Sequence, residues 1–224
     1  MGDILRVEDV SLENAEGRLV FQHLDWNLSV GGCARIHGAP GAGTSAFLRL
    51  CAGLADPEEG RVLLDGVALS PYAFSHPFLK KGGIGWVPME GGLLVNLSLG
   101  ANVALPLRFL RGHSQVRAEE IALEWLEAAH LSGRAEARPH ALEPRERWLG
   151  ALVRAAAAEA NLWLVDQPPP GLDLQARAQA TRLLRNAAAN PETSFVIAGN
   201  ADAGQLNATE FRIEQGRIVS GGIQ

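Results

Sequence analysis

Apolar residues follow three different rhythms along this chain. Over the first 30 residues they come in short β-rich runs, "RLVF" and "LDWNLSV", set off by polar turns such as "NAEG"; this predicts an N-terminal layer of short strands. "CARIHG" then runs into a glycine-rich stretch, and "SAFLRLCAGL" places Phe47, Leu48, Cys51 and Leu54 at helical spacing before the stop "ADPEEG". The predicted unit is strand, glycine loop, helix. "RVLLDG" and "GGIGWVP" read as further short strands, the second ended by Pro88.

From about residue 94 to 158 the period becomes helical. In "AEEIALEWLEAAHL" it puts Ile121, Trp125 and Leu126 on one stripe and the glutamates mostly elsewhere. The alanine run of "ALVRAAAAEA" reads as a helix packed closely against a sheet. "LWLVD" and "SFVIAG" read as buried parallel strands around the helical "LQARAQATRLLRNAAA", and "EFRIEQGRIVSGG" as a hairpin turning at Gly216. The fold class is therefore α/β: a mainly parallel sheet with an N-terminal antiparallel β layer and an inserted helical lobe.

Composition narrows the functions. With 224 residues, 47% of them hydrophobic, the chain can bury a full core as one domain or as one domain with a lobe. Net charge is −5 and no stretch concentrates Lys or Arg, which argues against nucleic acid as a partner. Cys33 and Cys51 lack metal-ligand spacing and read as buried thiols in a reducing cytosol. The start "MGDILRVEDV" is not a signal peptide, and no run approaches ~18 apolar residues, so work at a membrane would need a membrane partner.

The chemistry centres on "GAPGAGTSAF", residues 38–47. Its glycines suit a loop that cradles phosphate with backbone N–H groups at a helix N-terminus, yet Thr44 stands where such a loop carries its one lysine. The only lysines, Lys80 and Lys81, lie outside the loop.

Five segments in order, namely the glycine loop, "GLADPEEGRVLLDG", "IGWVPMEGGLLVNLSLGANVALPL", "LWLVDQPPPGLD" and "RIEQGRIVSGG", resemble the ATP-binding subunit of an ABC transporter over nearly the whole length. The third segment is closest in wording to ATPases of lipid-handling importers with Mce-type partners. The resemblance implies a P-loop NTPase fold of ABC type, one nucleotide-binding domain over residues 1–224 with a helical subdomain at about residues 94–158. It places the chain in the cytoplasm, peripheral at the inner face of the membrane, with a membrane permease subunit and a second ABC subunit, as homodimer or heterodimer, for partners.

Carried over residue by residue, the resemblance assigns Gly38, Gly41, Gly43, Thr44, Ser45 and Asp166 to the nucleotide, with Ser45 and Asp166 at Mg2+. It also exposes departures. Thr44 removes the point charge that reaches the terminal phosphates; since a charge-assisted hydrogen bond contributes roughly 1.5–3 kcal/mol, the change alone weakens binding ~10–100-fold. Residues 11–20 hold no aromatic to stack on adenine, and Phe21 and Trp26 read as core. Met89 replaces a magnesium-organising glutamine, beside Glu90, and a thioether is a poor ligand for Mg2+. The signature LSGGQ becomes Leu142-Glu143-Pro144-Arg145-Glu146, with a negative charge and a proline where phosphate should arrive, so that the segment should repel a nucleotide unless Arg145 turns inward. Gln167 replaces the catalytic glutamate and cannot accept a proton from water. Asn200 replaces the switch histidine, and the last histidine is His140.

Thr44, Met89, the segment 142–146, Gln167 and Asn200 remove five contributions to one reaction. Because the family builds each site from the loop of one subunit and the signature of the other, an intact partner would leave both sites compromised. The expectation is a pseudo-ATPase with a structural or regulatory role in transport, binding ATP and Mg2+ weakly or not at all; the alternative is an ATP-hydrolysing subunit with an atypical site. "GLD", residues 171–173, is expected at the subunit interface, and the "NLSLGANVALPL" segment at the membrane subunit.

Overall fold

Two eleven-residue strands, β1 (Asp3–Glu13) and β2 (Leu19–Ser29), open the computed structural model, which describes residues 2–14, 16–69, 78, 83–199 and 206–220. They pair antiparallel, and β1 also pairs with β4 (Glu59–Leu64), which carries the two-residue β5 (Val67–Ala68), giving a sheet of order β2-β1-β4-β5. The "RLVF" and "LDWNLSV" runs are one strand rather than two. His23 sits at φ 49° opposite a register shift, with its Nδ1 2.7 Å from Asp9 Oδ1. That β-bulge breaks the alternation, which is why the sequence pattern divides there.

The second sheet has order β10-β9-β3-β8-β7-β6, built from β3 (Cys33–Gly38), β6 (Ile84–Val87), β7 (Leu162–Val165), β8 (Ser194–Ala198), β9 (Thr209–Glu214) and β10 (Arg217–Ser220). All neighbours are parallel except β9 and β10, which form the hairpin turning at Gln215 and Gly216. Both faces are covered, so β7 and β8 are buried at every position. Leu162, Leu164, Val196 and Ala198 join the core under the antiparallel sheet and α1 (Thr44–Cys51), while Trp163, Val165, Phe195 and Ile197 join the core on the helical side. Helix α1 ends at Cys51, which leaves Leu54 exposed and off the predicted stripe.

On the helical side lie α2 (Leu99–Phe109), α3 (Gln115–Ala128), α4 (Pro144–Ala157) and α5 (Leu174–Ala188). The buried face of α3 is Ala118, Ala122 and Leu126; Ile121 and Trp125 flank it only partly buried. Small residues let α3 approach its neighbours closely, so the face is set by alanines and shifted from the bulky stripe. The alanine run of α4 packs against the sheet as expected: a Cβ on Gly85 of β6 would lie 2.8 Å from that of Ala155.

Asn102, fully buried in α2, organises the segment before that helix. Its side chain donates to the carbonyls of Leu94 (3.1 Å), Leu97 (3.4 Å) and Ser98 (3.0 Å) and accepts the N–H of Leu94 at 2.7 Å. Backbone groups left without partners inside a protein are costly, so Asn102→Ala should lower unfolding free energy by about 2 kcal/mol. Urea unfolding checks this; a midpoint unchanged from wild type would contradict it.

Candidate functional site

The site lies at the C-terminal ends of parallel strands, where β3, β7, β8 and β6 release their loops on one side of the sheet. β3 leads into residues 38–43 and then α1. Gly41 and Gly43 have φ of 83° and 102°, a region that L side chains rarely enter. At Gly43 there is also no room, since a Cβ would stand 2.5 Å from Val20 Cγ1 and 3.1 Å from the Phe21 ring. Helix α1 starts at Thr44 with no side-chain cap and no acidic residue in its first turn. Its leading N–H groups and dipole are therefore free of side-chain competition, the arrangement that favours negative charge at a helix start. Thr44 and Ser45 are both partly exposed in that first turn.

Asp166 follows β7 and is 5% exposed. Its N–H bonds to Val87 O at 2.8 Å, its carbonyl receives the Trp148 indole at 3.4 Å, and its Oδ1 accepts the N–H of Gln167 at 2.9 Å. β8 separates β7 from β3, so Asp166 and the glycine loop belong to the same edge of the sheet without being adjacent strands. One carboxylate and one hydroxyl suit Mg2+ only in company with a ligand's phosphates, as is usual for that ion. Among the described residues no group of three or more His, Cys, Asp or Glu is placed to hold a metal on its own. Glu90 is exposed beside the partly buried Met89.

Gln167 is exposed, and its side chain packs over the end of β8: a Cβ on Gly199 would lie 2.8 Å from Gln167 Cβ and 3.0 Å from its Oε1. Asn200, Lys80 and Lys81 lie outside the described residues. Phe21 and Trp26 are core, as expected, and both meet Phe47 edge-on, at 6.1 and 5.1 Å between ring centroids.

The signature-like segment is reorganised around its own charges. Pro144 is the first residue of α4, and Glu143 and Glu146 form a capping box in which Glu146 Oε2 accepts the Glu143 N–H at 2.8 Å. Arg145 does not point to open space. It binds Glu143 at 2.8 Å and Asp173, the residue that caps α5 by accepting the Ala176 N–H at 2.8 Å. Of the two expectations for this segment, a repelling charge or an Arg145 turned inward, the structure places Arg145 against Glu143 and Asp173. The negative charge is offset, but the N-terminus of α4 is filled by the chain's own carboxylates.

Asp173 has a carboxyl held below its ordinary value of 3.8, first by the Ala176 N–H and then by the Arg145 charge. A depressed folded value makes this contribution complete above the unfolded value and lost as pH falls through the folded one. An NMR titration should find the Asp173 midpoint below 3.8, and Arg145→Ala should move it upward; no movement would mean that the pair does not form in solution.

The thiols are unreactive by environment. Burial pushes Cys33 to about 11 and Cys51 further up. Cys33 is only partly buried, against the expectation of two buried thiols. None of the helices among the described residues is long and apolar enough to cross a membrane.

The family described as ABC transporter matches residues 21–169. The lipoprotein-releasing system ATP-binding protein LolD of Colwellia psychrerythraea is 29% identical over 88% of this chain and 78% of its own length. The Fe(3+) ions import ATP-binding protein FbpC of Pseudomonas fluorescens is 30% identical over 90% of this chain, which spans only 56% of that relative. Among solved structures, the dimeric ATP-binding cassette MJ0796, in a post-hydrolysis state with ADP and Pi, superposes with a TM-score of 0.82 at 23% identity, covering 98% of this chain and all of that one. The last likeness establishes the fold: an ABC-type P-loop α/β architecture.

Proposed function

We propose, on the premise that the chain belongs to the ABC transporter family, that it is the ABC-type subunit of a membrane transport assembly with a crippled hydrolytic site, holding nucleotide weakly or not at all. In this reading it is one domain with a helical subdomain at about residues 94–158, and it sits at the cytoplasmic face of the membrane against a permease and a second ABC subunit. Gly38, Gly41, Gly43, Thr44 and Ser45 form the phosphate end, with Ser45 and Asp166 toward Mg2+. Leu94 and Val95, 46% and 75% exposed on the segment that Asn102 holds, offer apolar surface to the permease.

Family membership and the relatives' names support the transport role. The loss of hydrolysis is carried by one observation, the N-terminus of α4, where a proline and a carboxylate cap occupy the place of the glycines that would approach a partner's phosphate. Thr44 and Gln167 add to it from the other half of the site.

A second reading, an ATP-hydrolysing subunit with an atypical site, has its own support. The relatives named above are ATP-binding proteins of transport systems, which favours this reading over the first, and the glycine loop keeps an open cradle. Lipoprotein release and iron import in those names favour no single cargo. Calorimetry with Mg2+ and ATP discriminates between the two: sub-micromolar affinity would favour the second reading, and millimolar affinity with co-purification of a permease supports the first.

A further inference from the structure

A cleft of about 630 Å3 opens at the end of the parallel sheet opposite the glycine loop, within the ~300–1,000 Å3 typical of small-molecule sites. Asn161 and Thr193, which precede β7 and β8, lie on it, so it borders the N-terminal ends of the strands whose C-terminal ends lead to Asp166 and Gly199. Its floor is apolar. Trp163, buried and fixed by its indole N–H to Ala160 O at 2.9 Å, lies there with Leu183 and Ala187 of α5. Trp125 of α3, only partly buried, forms a wall. The rim at residues 190–193 is held in place: Asn190 Oδ1 accepts the Glu192 N–H at 3.0 Å, the Asn190 carbonyl accepts the Thr193 N–H at 3.0 Å, and Pro191 O packs so closely on Gly31 that no Cβ would fit there.

Charge around the cleft favours a cation. The last turns of α3, α4 and α5 all border it, and a helix C-terminus carries partial negative charge on its free carbonyls. The chain's own guanidinium groups occupy two of these ends. Arg111 donates to Ala158 O at 2.7 Å and to Glu159 O at 3.0 Å beyond α4, and Arg182 donates to Ala128 O at the end of α3. At the end of α5, where Asn186, Ala187 and Asn190 line the cleft, no side chain of the described residues takes that place. Arg111 is balanced further by the Glu159 carboxylate at 3.3 Å, whereas Glu192, exposed on the rim, has no ion pair among the described residues. An anion would meet Glu192 and a helix C-terminus with no free positive charge to hold it. We propose that this cleft binds a small organic cation, an ammonium or guanidinium group on a short apolar body, with the Trp125 ring against it and Glu192 beside its charge. Indole is the strongest aromatic platform for a cation, and the amide oxygens of Asn186 and Asn190 can accept its N–H groups. The length of the sheet separates this site from the glycine loop, so it does not depend on whether nucleotide binds there.

The test measures binding of n-butylguanidinium and of n-butylurea, nearly the same shape without the charge, to the purified full chain by ligand-observed NMR titration. The proteins are wild type, Trp125→Phe, Trp125→Leu, Glu192→Gln and, as a control, Asp56→Asn, which removes an exposed carboxylate between α1 and β4 that does not line the cleft. Wild type should bind the guanidinium saturably and the urea at least about fivefold more weakly. Trp125→Leu should weaken the guanidinium by roughly three- to thirtyfold, with Trp125→Phe between it and wild type. Glu192→Gln should weaken it by about two- to fivefold, and Asp56→Asn should leave it unchanged. Equal affinity for the two probes, wild-type affinity in Trp125→Leu or in Glu192→Gln, an equal loss in Asp56→Asn, or no saturable binding at millimolar concentration would each overturn the assignment. Circular dichroism checks that each variant folds; if Trp125→Leu does not, Glu192→Gln, at an exposed position, still decides the matter.

Discussion

Thr44→Lys should raise affinity for Mg2+-ATP by about 10–100-fold. The argument is local. Gly41 and Gly43 already adopt the positive φ of a phosphate cradle, and the first turn of α1 has no side-chain cap competing for its N–H groups. What the cradle lacks is a mobile positive charge beside those N–H groups, and position 44 is partly exposed at the start of the helix. Without ligand the same lysine faces the positive end of the α1 dipole, so it should cost about 0.3–1 kcal/mol of stability. Tighter ATP binding together with a slightly lower unfolding midpoint is the expected signature, read by calorimetry and by urea unfolding. An affinity within twofold of wild type would mean that the loop is a turn without a ligand.

Gly91→Ala should cost roughly 3–5 kcal/mol, through backbone strain and overpacking together. Gly91 ends the turn that carries Met89 and Glu90, with its N–H on Pro88 O at 2.8 Å and φ of 90°. A Cβ there would lie 2.6 Å from the carbonyl oxygen of Arg147 and 2.7 Å from its carbon, in the first turns of α4. Arg147 cannot retreat cheaply, since its guanidinium is tied to Leu142 O at 2.6 Å. The turn after β6 is therefore clamped to α4, which couples the sheet edge to the segment that replaces the signature. Urea unfolding measures the loss; a change under about 1 kcal/mol would show that the clamp yields, as a misplaced turn would.

Much of this fold can be read from the sequence because buried parallel strands and a glycine loop leave strong local marks. "LWLV" is apolar at every position and "SFVIA" at all but Ser194, and the structure buries every residue of both. The hairpin at Gly216 and the strand-loop-helix unit are equally local. Other features depend on tertiary contacts. The bulge at His23 hides the continuity of β2, and the face of α3 is chosen by Ala118 and Ala122, which carry little hydrophobic weight in a periodicity. Asn102 looks like any polar residue in "NLSLGANVALPL", yet it is fully buried and holds that segment through four hydrogen bonds.

At the site, substitutions against a family pattern were legible at Thr44, Met89 and Gln167. Their surroundings were not. Arg145 is far in sequence from Asp173, and only the fold brings them together. The spacing of Glu143 and Glu146 around Pro144 is a helix-start signal, and the structure makes it one.

Steady-state ATP hydrolysis bears most directly on the central claim that the substituted positions, and not the fold, limit turnover. The measurement compares wild type with Gln167→Ala and with the Thr44→Lys, Gln167→Glu double variant, each alone and with the co-purified permease. Wild type should stay at background and be indifferent to Gln167→Ala, while the double variant, which regains a general base that contributes on the order of 10²–10⁴-fold, should rise above wild type but stay well below an ordinary transport ATPase, because the N-terminus of α4 is still filled by its proline and carboxylate cap. Turnover by wild type at the rate of an ordinary transport ATPase, abolished by Gln167→Ala, would contradict the account.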